Sequence, residues 1–183
     1  MDVFAHALWT NAVFFKKYRT EKLNRYIAVA FGVLPDLVVF TPAFVYGIYA
    51  AIFNGVKSFG PGAFASRAWP FQFASTGYNY THSLVIFIVV MGIVTLIRRG
   101  KQYWPMWGWA LHILIDIPSH KGFYETPFLF PLSGYKFDYG VSWSHPLFML
   151  VNYSALALVY LVWFLVLRGR YKSTNGHTND TKQ

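Results

Sequence analysis

Pro146 to Leu167 reads PLFMLVNYSALALVYLVWFLVL, 22 residues without a formal charge. At about 1.5 Å of rise per residue, a helix of that length covers the roughly 30 Å hydrocarbon core of a bilayer. Inside lipid the backbone must satisfy its own polar groups, which a helix does within one segment. Outward from this span, the 183-residue chain is 55% hydrophobic, 21% aromatic and 13% charged, with a mean hydropathy of +0.34. Such a composition excludes disorder and argues against an ordinary soluble domain. The expectation is an all-α membrane bundle of about four transmembrane helices plus a short N-terminal helix. Residues 1–170 would form one embedded domain and 171–183 a polar, disordered tail.

Ser83 to Ile97 is rich in Val and Ile and reaches spanning length with Tyr80, Thr81 and His82 before it. Gln102 to Ile115 runs into Asp116, so a span here must hold a carboxylate. Tyr26 to Val56 is too long for one simple span and contains Pro35, Asp36 and Pro42, which predicts a helix broken at Pro35 or two successive helices. Val3 to Phe15, 13 uncharged residues, is too short to cross comfortably and reads as an interfacial or bundle-packed helix.

Sixteen Lys and Arg against seven Asp and Glu give a net charge of +9. In a soluble protein this balance would suggest nucleic acid, but the basic residues cluster at the ends of apolar stretches: five from Lys16 to Arg25, then Arg98, Arg99 and Lys101, then Arg168, Arg170 and Lys172. That is the positive-inside pattern. It predicts a multi-pass protein with basic loops in the cytoplasm, Asn54 to Tyr80 and Ser119 to Ser144 outside, and lipid, with no nucleic acid, as its surroundings. The aromatic-rich segment Gly122 to Trp143 suits the membrane interface, with Glu125 and Asp138 as solvated loop acids. With no cysteine in the chain, any metal must take nitrogen and oxygen ligands.

The ionisable residues within apolar segments carry the functional information, because a buried carboxylate costs about 2.5 to 3.5 kcal/mol even on the gentler insertion scales. On straight helices, His6 lies roughly 15 Å from Lys16, Asp36 roughly 16 Å from Arg25, and His112 roughly 16 Å from Lys101. Asp2 and Asp116 fall at roughly 21 to 22 Å and His82 at roughly 24 Å, one further turn outward. His112 and Asp116, like Asp2 and His6, are four residues apart and share a helical face. Imidazole and carboxylate together suit zinc or another first-row divalent ion, which would compensate carboxylates that have no basic partner in the spans. His120 continues the spacing beyond Pro118 and would support the ligands or line the entrance, and His145 would do so more distantly.

These residues resemble the predicted membrane-bound metal-dependent hydrolases of bacteria and archaea, also described as LexA-binding, inner-membrane-associated hydrolases. The resemblance covers most of the chain. It rests on Met-Asp followed by His four residues later (Asp2, His6), Gly-x-x-Pro-Asp (Gly32, Pro35, Asp36), Thr-His-Ser (Thr81, His82, Ser83), His-x-x-x-Asp (His112, Asp116) and Pro-Leu-Ser (Pro131, Leu132, Ser133). Two positions depart from the pattern: Val38 stands where the family often has a second acid, and Tyr78 where an Arg often precedes Thr-His-Ser. The ligand types are also distantly similar to those of zinc-dependent phospholipase C.

The resemblance implies an inner-membrane enzyme that hydrolyses its substrate with metal-activated water. Asp36, His82, His112 and Asp116 would hold the ion, zinc first among candidates, with His6 as a fifth ligand oriented by Asp2. Asp2 or Asp116 would accept the proton as general base. Depth alone points to lipids or lipid-linked phosphoesters as substrates, and a LexA-type partner is implied only by the family label. Ser83 reads as a helix-start residue, not a nucleophile. Two other classes fit buried His and Asp: a small proton or metal-ion transporter, which would usually show repeat symmetry or more spans, and a non-enzymatic membrane partner protein.

Overall fold

The computed structural model describes residues 1–55, 68–122 and 125–179, with side chains as far as Val166. Lys57 and Arg67 of the first expected outer segment lie outside the described residues, as do the side chains of Arg168, Arg170, Lys172 and His177. The described residues are all-helical: α1 (Val3–Phe14), α2 (Lys22–Phe53), α3 (Trp69–Thr81), α4 (Leu84–Ile97), α5 (Trp107–Ser119) and α6 (Pro146–Asn179), with a 3-10 turn at Trp104–Met106 before α5.

Among the described residues α2 and α6 are long and apolar enough to cross a membrane singly, and α3 with α4 forms a third candidate span bent by 67°. The 32-residue α2 is one helix, which corrects the expected break at Pro35: it runs through both Pro35 and Pro42. Each proline removes one backbone donor, whereas unwinding in an apolar setting would strand several polar groups. Likewise α5 continues through Pro118 to Ser119. Part of the segment expected to lie outside is also helix, because α3 packs on α2 and belongs to the bundle. Helix α6 continues to Asn179, so its backbone stays helical where the sequence turns polar at 171. Adding a residue to an existing helix is far easier than nucleating one.

Two glycines let the helices that hold the site come close. A Cβ on Gly32 of α2 would sit 2.2 Å from Thr10 Oγ1 on α1, and one on Gly108 of α5 would sit 2.1 Å from the Ala28 carbonyl oxygen on α2. Helix α2 therefore nests between α1 and α5. Phe87, Met91, Met106, Ala110 and Ile113 form the apolar core between α4, the 3-10 turn and α5. Helix α6 lies against α1, where Trp9 Nε1 donates to Asn152 Oδ1 at 2.8 Å, Asn11 Nδ2 to Tyr160 Oη at 2.7 Å, and Tyr160 Oη to the Leu8 carbonyl at 3.1 Å.

The first two basic clusters meet at one end of the bundle. Lys17 Nζ stands 3.3 Å from the Trp104 ring centre, and the Arg98 guanidinium 4.9 Å from that of Tyr103.

Candidate metal centre

At the opposite end of α5 from Trp104, the bundle interior is polar. His6, His82, His112 and Asp116 are fully buried and Asp36 nearly so. Asp36 comes from the middle of α2, His112 and Asp116 from successive turns of α5, and His82 from the break between α3 and α4. One ligating atom from each of Asp36, His82, His112 and Asp116 lies within 4.8 Å of all the others.

The break explains why His82 joins this set. Helix α3 ends at Thr81, and Ser83 starts α4 as an N-cap whose Oγ accepts from Ile86 N at 3.2 Å. Ser83 also donates to the Phe130 carbonyl, and Leu84 N donates to the Phe128 carbonyl at 2.9 Å, tying the outer segment to the break. Trp109 Nε1 of α5 donates to the Thr81 carbonyl at 2.6 Å. The 67° bend sets His82 Nε2 beside both carboxylates, 3.3 Å from Asp36 and 3.4 Å from Asp116.

Tautomers follow from the partners. A carbonyl only accepts, so His112 Nδ1 donates to the Gly32 carbonyl at 2.8 Å and leaves Nε2 as the lone-pair nitrogen. His82 Nδ1 lies 2.9 Å from Thr81 Oγ1. When that hydroxyl accepts, both Nε2 atoms present lone pairs 3.0 Å apart, an arrangement that a cation between them stabilises. Asp116 Oδ2 completes the picture: it is 3.1 Å from His112 Nε2 and 3.4 Å from His82 Nε2 yet forms no hydrogen bond.

The spacing of the donors also fits. Ligands at the usual 2.0–2.1 Å around a tetrahedral ion stand about 3.3 Å from one another. Five of the six separations among His82, His112, Asp36 and Asp116 run from 3.0 to 3.8 Å, and the sixth, between the two carboxylates, is within 4.8 Å. Two nitrogens and two carboxylate oxygens, buried and convergent, are a donor set for a first-row divalent ion. Ring contacts hold the imidazoles in place: His6 stacks on His112 at 3.8 Å and Tyr78 on His82 at 3.8 Å.

The remaining candidates divide. His6 Nε2 reaches Asp116 Oδ1 at 2.9 Å, on the side of the carboxylate away from the four-atom set. His120 is buried, with Nδ1 3.2 Å from the same Oδ1. Asp2 does not orient His6: its Oδ1 caps α1 by accepting from Ala5 N at 3.0 Å and accepts from Tyr153 Oη at 2.8 Å. As an N-cap, its side chain is held against the helix start. His145 is exposed and accepts from Leu147 N at 3.3 Å at the start of α6, away from the centre. Glu125 bonds locally to Gly122 N at 2.9 Å, and Asp138 is exposed.

Sequence reasoning did not identify Gly32 as the acceptor for His112, nor Tyr78, Thr81 and Trp109 as supports of His82. Tyr78 stands four residues before His82, which was the available signal. The Met1 amino group, which donates to Asp116 Oδ1 and lies 3.2 Å from His120 Nε2, was also missed. Of the two departures, Val38 is 47% exposed on the outer face of α2, two residues from the inward Asp36, so an acid there would not face the centre.

A separate apolar groove of about 310 Å³ lies between α1 and α5, lined by Val13, Phe14, Leu111 and Leu114 with Lys17 and Trp104 at its basic end. None of the four clustered residues lines it.

The model of the YdjM inner membrane protein family matches residues 1–175, and the chain belongs to that family. No curated protein and no solved structure gives a significant match.

Proposed function

We propose that this member of an inner-membrane family is a metal-dependent hydrolase that acts on a lipid or lipid-linked phosphoester. The convergence of Asp36, His82, His112 and Asp116 carries the reading, since their donor atoms meet in a buried layer where Asp116 Oδ2 has no hydrogen-bond partner. When bound there, a divalent ion, zinc first among candidates, would bring the pKa of a coordinated water towards neutrality and polarise the bond under attack.

The chain's own residues do the rest. The Gly32 carbonyl and Thr81 hydroxyl fix the two ligand imidazoles through their Nδ1 atoms, an outer layer that raises ligand basicity and sets orientation. With a single ion held on the Oδ2 side, Asp116 would take the water's proton on Oδ1, the oxygen that faces His6 and His120. Asp2, engaged with Ala5 and Tyr153, is left out of this role. In this reading the basic ends face the cytoplasm, the chain is multi-pass, and the substrate enters sideways from the bilayer.

The test is hydrolysis of phospholipid and lipid-phosphate substrates by purified, metal-loaded protein in detergent. Activity should fall in His112→Ala by more than the roughly 10- to 100-fold typical of changes around the ligands, and chelation should abolish it. Failure of the loaded wild type to release phosphate or headgroup from any of these substrates would overturn the reading.

A further inference from the structure

Asp116 faces different partners with each oxygen. Its Oδ2 looks towards His82 Nε2 and His112 Nε2, and its Oδ1 towards His6 Nε2 at 2.9 Å and His120 Nδ1 at 3.2 Å. We infer that Asp116 bridges two divalent cations, one shared with Asp36, His82 and His112, the other with His6 and His120. The inference rests on the metal reading above and goes beyond it by assigning a second ion and the chemistry of the ligand it attracts.

Two observations point to the Oδ1 side. His120 Nδ1 approaches that oxygen closely yet forms no hydrogen bond, so the two atoms are aimed at a common point and not at each other. The His6 ring is held in place by stacking on His112, which fixes its Nε2 against Oδ1. A bridging carboxylate suits a pair of ions about 3.5–4 Å apart, the usual spacing of two-metal hydrolytic sites.

The charges then identify the ligand. Two carboxylates, Asp36 and Asp116, neutralise one divalent ion, so a second leaves the centre with surplus positive charge in a water-poor interior. Such a centre recruits an anion, and a phosphoester supplies both the charge and the oxygen ligands.

The test loads the metal-free full chain in detergent with manganese alone, counts ions per chain, and records the EPR spectrum. Wild type should bind about two ions and show the spectrum of an exchange-coupled pair, as carboxylate-bridged two-metal sites do. His120→Ala and the more conservative His6→Gln should each retain about one ion with an uncoupled spectrum, and an unchanged far-UV spectrum shows that they fold. One uncoupled ion in wild type would overturn the second site and leave the mononuclear hydrolase standing. Two ions retained in both variants would overturn the assignment of His6 and His120. No bound ion in wild type would overturn the metal reading itself.

Discussion

Helices α2 and α6 are alike by hydropathy, their most apolar windows averaging 1.9 and 2.0, yet 33% of that window is buried in α2 and 11% in α6. Helix α6 meets the rest of the protein along one face, with Asn152, Leu156, Tyr160 and Trp163 at helical spacing against α1, and most of its other described side chains, Leu158 and Leu161 among them, are exposed. Helix α2 packs on α1, α3 and α5 at once and delivers Asp36. Hydropathy finds a span but does not say what the span is for. The difference lies in the few residues that are not apolar: Gly32 permits close approach and exposes its carbonyl to His112, and Asp36 turns the interior into a site.

The largest test of that contrast is a carboxylate on the wrong face of α2. Val38→Asp should weaken membrane insertion by about 2.5–3.5 kcal/mol, read as loss of membrane-integrated protein, and should add no bound metal. A gain in metal would break the comparison by showing that the outer face of α2 also serves the site.

Gly32→Ala should come next. Its Cβ would meet Thr10 Oγ1 at 2.2 Å, an overpacking of the kind that costs about 1–3 kcal/mol, read as a lower melting temperature in detergent. Because the Gly32 carbonyl holds His112, metal affinity should fall as well. Adding Thr10→Ala should restore only part of the stability, since the Thr10 Cβ would still lie 2.9 Å away.

Asn152→Leu on α6 should do least. It removes the acceptor of Trp9 Nε1, and hydrogen bonds between membrane helices average about 0.6 kcal/mol. Thermal stability should drop slightly with metal content unchanged; loss of metal would show that α6 is coupled to the centre after all.

The sequence made much of this legible. The uncharged run from Pro146 identified α6, and the unpartnered His and Asp residues identified the interior layer, because polar groups in apolar helices need a reason. His112 and Asp116 were placed by helical spacing alone. A straight-helix count has no way to see the 67° bend at His82 and Ser83, which long-range bonds to the Phe128 and Phe130 carbonyls hold in place. Pro35 suggested a break for a local reason, and the apolar surroundings overrode it. The α1 pair Asp2 and His6 separated because an N-cap directs its side chain back to the helix start, whatever the spacing suggests. Tyr78 could not be read as a support for His82 until the ring contact was visible.

The most direct test of the central claim is the metal content of purified protein, wild type beside Asp36→Ala and Asn152→Leu. The structure predicts metal bound by wild type and by Asn152→Leu, and lost from Asp36→Ala with the fold retained. Equal metal in Asp36→Ala and wild type, or none in wild type after reconstitution with zinc or manganese, would contradict it.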